Sequence, residues 1–298
     1  MTSPLRCRVN DKRSKSVQED FDDKPYNPPS LPKNARLSIN RCNLPAVILG
    51  SLTFQKHPAP LEIDGVRDIH RRFFAHLDAL SDFKLRASYF MDYMVVYFRL
   101  EALQDVGLSD WPGMKRLRGR ADYLRMVRGW AFDSDCREGA VLKAWVESRF
   151  GLMTLYHGGQ FTDRTTDVYL RYQEARSKGL YNTNALESQL DLLYTYCQYE
   201  LQRQFPGQTH LGLYRGFNHL GDDQTLDQLD RRRRIVLLNN LSSFTSSPER
   251  ADEFGDHMLY TQVPMVKIMF YNSMLPGFLK GEDEYGVIGG VYEVERIA

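Results

Sequence analysis

The sequence has few cysteines, and their spacing matches no metal site. The four cysteines stand far apart, without a Cys-x-x-Cys or Cys/His ligand spacing. They are Cys7, Cys42, Cys136 and Cys197. We therefore expect no metal, and free thiols in a reducing compartment.

A long apolar run and an excess of charge of one sign are also absent. The longest apolar stretch, residues 89–100, is interrupted by Asp92 and Arg99 and is too short to cross a bilayer. The 39 basic and 38 acidic residues leave a formal net charge of +1, which argues against nucleic-acid binding through bulk charge. The first residues are polar and show no secretory signal, so we expect a cytoplasmic protein.

The chain also has no Gly-x-Gly-x-x-Gly between a strand and a helix. Gly286, Gly289 and Gly290 do not fit that spacing, and they indicate a strand bulge or close packing instead. A Rossmann-type dehydrogenase, and hydride transfer with it, is disfavoured.

The residue pattern changes from helical to strand-like near Pro206-Gly207, which divides the chain into two main regions. Residues 1–36, rich in Lys, Asp, Ser and Pro, predict a flexible arm. Residues 37–205 predict a helical region, although a short strand is possible at 46–49. Apolar residues recur at helical spacing over 66–80, 82–103, 135–150 and 182–204, and Asn182 or Thr183 would cap the last of these helices.

Residues 206–298 predict a β-rich region. Strands are expected over 211–217, 235–244, 259–271 and 285–297, with helices at about 224–233 and 247–254. These spacings are too short for repeated strand-helix-strand units, so the pattern favours an α+β sandwich over a doubly wound sheet.

Two carboxylates, Glu282 and Glu284, stand at the entry to the last predicted strand. Side chains two residues apart in an extended chain project from the same face. Two negative charges held this close repel each other unless each is paired with another group or has a functional role. The pair is therefore a candidate for cation binding or catalysis. Taken alone, a Glu-x-Glu is also typical of a solvated strand edge.

Two upstream stretches give the pair a context, Leu213-Tyr214-Arg215-Gly216-Phe217 and residues 241–254. A strand-borne arginine, then a Ser/Thr strand running into a helix, then Glu-x-Glu resembles the Arg-Ser-Glu class of mono-ADP-ribosyltransferases. The helical first half, the Asn-Leu-Pro at 43–45 and the Gly-Gly-Val-Tyr-Glu-Val ending are similar to the NAD-dependent dinitrogenase reductase ADP-ribosyltransferase family. This second resemblance extends over nearly the full length.

The resemblance implies NAD as the substrate and a helix-rich half followed by an ADP-ribosyltransferase-like split β-sandwich. It makes Glu284 the catalytic glutamate, which stabilises oxocarbenium character at the ribose, and Glu282 the residue that orients an acceptor arginine. Arg215 would hold oxygens of NAD and brace the serine strand. The further NAD-binding residues are Gly216, Phe217, Thr245 and Phe254.

The motif serine has two candidates, because Ser-Phe-Thr-Ser departs from the family pattern. Counting back from the Pro-Glu-Arg-Ala helix start selects Ser243, paired with Thr245, whereas an aromatic-x-Ser rule selects Ser246. In either case the serine is expected to hydrogen-bond the catalytic glutamate and hold it in place.

The implied function is transfer of ADP-ribose from NAD to an arginine of the dinitrogenase iron protein, which inactivates nitrogenase. The resemblance also implies a P-II type nitrogen-signalling protein as regulator. Two alternatives stay open at this point: the same chemistry on another protein target, and a catalytically silent adaptor that only binds protein.

Overall fold

A computed structural model describes residues 27–100, 121–181, 183, 185–218, 224–277 and 283–297. Helices dominate before residue 206 and strands after it, which confirms the predicted α+β class. Within these ranges, no helix is both long and apolar enough to span a membrane.

The first half is built from helices that precede the first strand. They are α1 (Ala46–Leu49), α2 (Leu52–Lys56), α3 (Val66–Ile69), α4 (Arg71–Asp78), α5 (Phe83–Phe98), α6 (Tyr123–Phe132), α7 (Arg137–Phe150), α8 (Asp167–Leu180) and α9 (Leu186–Gln204). Leu31 and Ala35, within the predicted arm, are buried.

Several predictions for this half were wrong in detail. Residues 46–49 form a helical turn and not a strand, because the Pro45 carbonyl accepts the N–H groups of Ile48 and Leu49. The helix expected over 66–80 is interrupted at His70, and Ile69 is exposed. Helix α9 begins after Ala185 rather than at the expected Asn182 or Thr183 cap, and α8 was not predicted.

In the described part of the second half, six strands and one short α-helix follow. They are β1 (His210–Phe217), β2 (Thr225–Gln228), β3 (Arg233–Thr245), α10 (Pro248–Asp252), β4 (His257–Pro264), β5 (Ile268–Tyr271) and β6 (Glu284–Arg296). The helix predicted over 224–233 is wrong, because β2 pairs with β3 there. The Asp230 carboxylate accepts the N–H groups of Arg232 and Arg233, each at 2.8 Å, and this turns the chain into β3.

The strands belong to one hydrogen-bonded sheet of six strands, which has two extensively paired parts. Strands β2, β3, β6 and β5 are neighbours in one part, and β1 pairs with β4 along its whole length in the other. A single residue pair, Tyr214 with Thr245, connects β1 to β3, and two pairs connect β4 to β6. Because β3 and β6 run antiparallel over most of their length, they bring residues 243–245 beside the start of β6.

A bulge in β3 attaches the helical half to the sheet. Asn239 and Asn240 together lie opposite Gly289, where a Cβ atom would be 1.9 Å from the Asn239 carbonyl oxygen. The Asn240 side chain donates to the carbonyls of Lys143 and Leu152, at 2.8 and 3.1 Å. The glycine therefore permits a bulge whose buried amide connects β3 with the middle of α7 and with the segment that follows this helix.

A fully buried lysine, Lys267, stands just before β5 and contacts β6. Lys267 donates to the Gly289 carbonyl at 2.8 Å, and its ammonium lies 4.7 Å from the Tyr292 ring centroid and 5.7 Å from that of Phe54. Burial lowers the pKa of Lys267 to about 7. Between this value and the ordinary lysine pKa of about 10.4, the unfolded chain binds the proton and the folded chain does not, so stability rises with pH.

We expect this lysine to give the wild type a pH dependence that Lys267→Met lacks. From pH 7 to pH 9 the free energy of unfolding of the wild type should increase by about 2 kcal/mol relative to the variant. Urea titrations of both proteins at each pH measure the difference. Parallel curves over this range would show that Lys267 keeps an ordinary pKa in the folded protein.

Candidate active site

Glu284, the first residue of β6, is buried and accepts two hydrogen bonds on one carboxylate oxygen. The Ser243 hydroxyl donates to Oε1 at 2.6 Å, and the indole N–H of Trp130 donates to the same oxygen at 2.9 Å. The Trp130 N–H also lies 2.9 Å from the Ser243 hydroxyl oxygen. The carboxylate is therefore fixed by one donor from β3 and one from α6.

The strand register explains how Ser243 reaches Glu284. Ser243 pairs with Gly286, and Thr245 pairs with Glu284, so the serine and the glutamate are diagonal neighbours on one face of the β3–β6 ladder. Gly286, the β6 residue opposite Ser243, has no side chain. A Cβ atom there would lie 2.5 Å from the Phe270 ring, so only glycine fits at this position.

Arg215 links β1 to the serine strand. One terminal nitrogen of its guanidinium donates to the Ser243 carbonyl at 2.9 Å, and the guanidinium carbon lies 5.9 Å from the Phe244 ring centroid. Burial lowers the pKa of Arg215, and the negative charge of Glu284 opposes this shift. Arginine nevertheless stays protonated at neutral pH, so the site keeps a fixed positive charge.

A cavity of about 860 Å³ opens above these residues. Its walls combine the arginine, the serine and the glutamate with the aromatic side chains of Trp130, Tyr214, Phe217 and Phe254. A concave space that combines apolar walls with convergent polar groups is typical of a site for a small organic ligand.

A buried lysine borders the same cavity from α7. The Lys143 ammonium donates to Asp135 Oδ1 at 2.8 Å and to the Tyr156 carbonyl at 3.2 Å, and it lies 3.2 Å from His157 Nδ1. Burial and the neighbouring Lys143 charge lower the pKa of His157 to about 4. The imidazole is thus neutral near pH 7, and its nitrogen accepts the third N–H of the lysine.

Most of the sequence-predicted site residues line this cavity together. They are Arg215, Gly216, Phe217, Ser243, Thr245, Phe254 and Glu284. Gly216 has a packing role as well, because a Cβ atom there would lie 2.0 Å from the Ala251 carbonyl oxygen of α10.

Of the two remaining candidates, Ser246 does not line the cavity. Ser246 is exposed, and its side chain interacts with Tyr285. Glu282 lies outside the described residues. Sequence reasoning missed Trp130 and Lys143, since both come from the helical half and no motif in the chain connects them with Glu284.

Comparison with known proteins supports the assignment that the resemblance suggested. The family described as "Dinitrogenase reductase ADP-ribosyltransferase (DRAT)" matches residues 39–296. The chain is 40% identical over 260 residues to "NAD(+)--dinitrogen-reductase ADP-D-ribosyltransferase" of Rhodospirillum rubrum, covering 87% of this chain and 94% of that protein. No solved structure matched the chain. The chain therefore belongs to the dinitrogenase reductase ADP-ribosyltransferase family.

Proposed function

We propose that this protein transfers ADP-ribose from NAD to an arginine of dinitrogenase reductase, the iron protein of nitrogenase, and thereby switches nitrogenase off. The observation that carries the proposal is the buried Glu284 carboxylate, hydrogen-bonded to Ser243 at 2.6 Å in the wall of a cavity that Arg215 also lines. This arrangement favours Ser243 over Ser246 as the motif serine.

The cavity residues fit NAD as a substrate. The guanidinium of Arg215 supplies positive charge for the pyrophosphate, and the Phe217 and Phe254 rings supply flat apolar surface for a base. The volume of about 860 Å³ lies within the range of sites that enclose organic ligands of this size.

The reaction needs a fixed negative charge beside the ribose. When the bond between ribose and nicotinamide breaks, nicotinamide leaves with the electron pair and positive charge develops on the ribose. A preorganised carboxylate at Glu284 stabilises that charge. An arginine nitrogen of the target then bonds to the same ribose carbon and gives up a proton.

Glu282 is the proposed acceptor-side residue. A guanidinium is protonated at neutral pH, so it must be oriented and relieved of a proton before it attacks. A carboxylate two residues before Glu284 supplies both functions in this proposal, as the family resemblance implies.

Glu282→Gln should therefore separate the two reactions. We expect labelling of the iron protein to fall by about 100-fold, while nicotinamide release into water and the KM for NAD stay within about threefold of wild type. The measurement is nicotinamide release and target labelling, side by side, on each protein. Asp283→Asn is the matched control, because it neutralises the adjacent exposed carboxylate and should leave both reactions nearly unchanged.

The same assay tests the alternatives. If the wild type releases no nicotinamide with or without the iron protein, a protein-binding adaptor becomes the better interpretation. If it releases nicotinamide and labels an arginine analogue but not the iron protein, the chemistry is right and the target is wrong. Normal labelling by Glu282→Gln would remove Glu282 from the mechanism.

The proposal includes a cytoplasmic location, which rests on the sequence composition, and regulation by a P-II type nitrogen-signalling protein, which rests on the family resemblance. Adding a purified P-II protein to the labelling assay, in each of its ligand-bound forms, tests the regulatory part. A labelling rate that no form changes would contradict it.

A further inference from the structure

Trp130 reaches the candidate active site from the other half of the molecule. It lies in the last turn of α6, two residues before the helix ends at Phe132, and it is 2% exposed. Its indole N–H is within 2.9 Å of both Ser243 Oγ and Glu284 Oε1. Trp130 is not part of the Arg-Ser-Glu pattern, although it contacts the serine and the glutamate of that pattern.

The three polar atoms form a closed triangle, with Ser243 Oγ 2.6 Å from Glu284 Oε1. A serine hydroxyl has one proton to donate and also accepts, whereas an indole N–H only donates. Because Trp130 approaches the hydroxyl as a donor, the serine proton is directed to Glu284. The indole thus holds the carboxylate directly and also through the serine.

The ring itself is held by close packing of α6 against α7. A Cβ atom at Gly129 would lie 2.5 Å from the Glu138 Cβ, so only glycine permits this approach. The Lys143 ammonium lies 5.8 Å from the Trp130 ring centroid, within the range of a cation–π contact. Since the ammonium is bound to Asp135, Tyr156 and His157, the indole has a rigid support.

We propose that Trp130 is a positioning residue for the ADP-ribosyltransferase reaction, which fixes the Glu284 carboxylate and the Ser243 hydroxyl in the geometry that the ribose requires. This inference rests on the proposed function. It gives the helical half a part in catalysis, because the third member of the triangle comes from α6.

Trp130→Phe keeps an aromatic ring and removes the N–H. We expect kcat for NAD hydrolysis to fall about 10- to 100-fold, as for other groups that orient an active-site ligand, while the KM for NAD stays within about threefold. The same fall is expected for labelling of the iron protein, since both reactions need Glu284.

Trp145→Phe is the matched control. Trp145 is equally buried, and its N–H also donates to a carboxylate, Asp191 Oδ1, at 2.8 Å, but it does not line the cavity. Both variants lose an indole hydrogen bond to a carboxylate, so a comparable loss of Tm is expected for each. Only Trp130→Phe should lose kcat, and equal kcat values for the two variants would overturn the proposal.

A second variant keeps the test decisive if Trp130→Phe does not fold. Site-specific incorporation of β-(3-benzothienyl)alanine at position 130 keeps the bicyclic shape and replaces the N–H by sulfur. A fall in kcat with an unchanged Tm supports the proposal. Wild-type kcat in this protein would show that the N–H does not position Glu284.

The indole resonances give a readout that does not need activity. The chain has three tryptophans, so three indole ¹H–¹⁵N signals are expected. In Glu284→Gln the Trp130 signal should move and the Trp145 signal should not. If the wild type hydrolyses no NAD but the Trp130 signal moves in Glu284→Gln, the proposed function fails and the contact between Trp130 and Glu284 stands. If the wild type is active and the Trp130 signal does not move, this contact is refuted.

Discussion

Glu284→Gln should reduce NAD hydrolysis and ADP-ribosyl transfer together, by about 100-fold or more. The amide has nearly the same size as the carboxylate, and its oxygen still accepts hydrogen bonds from Ser243 and Trp130. The substitution therefore removes the negative charge while leaving most of the local packing in place. Because both reactions break the bond between ribose and nicotinamide, both lose the same stabilisation.

The measurement is kcat/KM for nicotinamide release and for target labelling, with Tm as a check on folding. Glu293→Gln is a suitable control, because Glu293 is on the same strand but its carboxylate pairs with Lys56 at 2.8 Å, away from the cavity. We expect this control to stay within about twofold of wild type. Near-normal hydrolysis by Glu284→Gln would exclude Glu284 as the charge that the reaction depends on.

The two glutamate variants are informative as a pair. Glu284→Gln is expected to lose both reactions, and Glu282→Gln only transfer to the protein. The difference follows from the proposed contacts of the two carboxylates. Glu284 contacts the ribose, whereas Glu282 contacts the incoming guanidinium. Identical phenotypes would mean that the two residues do not divide these tasks.

The strand that carries Glu284 could be predicted because local sequence determines it. Residues 285–297 form a largely apolar run that contains several Val and Tyr residues, and the observed strand is Glu284–Arg296. Helices α5, α7 and α9 were predicted for the same reason, since apolar periodicity marks the face that packs on the core. Most of the site residues predicted from the order of Arg215, the serine strand and Glu284 line the cavity.

What sequence could not provide were the contacts between distant segments. Trp130 and Glu284 are separated by 154 positions, and an aromatic residue at helical spacing is more often core than site. The helix predicted over 224–233 failed because the Asp230 side chain satisfies backbone N–H groups locally and turns the chain into β3. In both cases the structure depends on a contact of a single side chain, and the periodicity of apolar residues does not reveal such a contact.

The second large effect is expected at a buried ion pair far from the cavity. Arg86 on α5 and Glu200 on α9 are almost fully buried and bonded by two contacts, Nε to Oε1 at 2.7 Å and Nη2 to Oε2 at 2.8 Å. The remaining terminal nitrogen donates to the carbonyls of Leu80 and Ser81. The hydrogen bonds that Arg86 donates to Glu200 raise the pKa of Arg86, so the guanidinium is charged in the folded protein.

Glu200→Leu should lower the free energy of unfolding by about 3–5 kcal/mol, because it leaves a buried guanidinium without its counter-charge. The double variant Arg86→Met, Glu200→Leu should recover much of this loss, since it removes both charges together and fills a similar volume. Glu174→Leu is the control, because the Glu174–Lys178 pair is exposed and its removal should leave stability indistinguishable from wild type. Denaturant titrations of the four proteins give the comparison. A double variant as unstable as Glu200→Leu would show that the stability depends on the hydrogen bonds to Leu80 and Ser81 rather than on the pairing of the two charges.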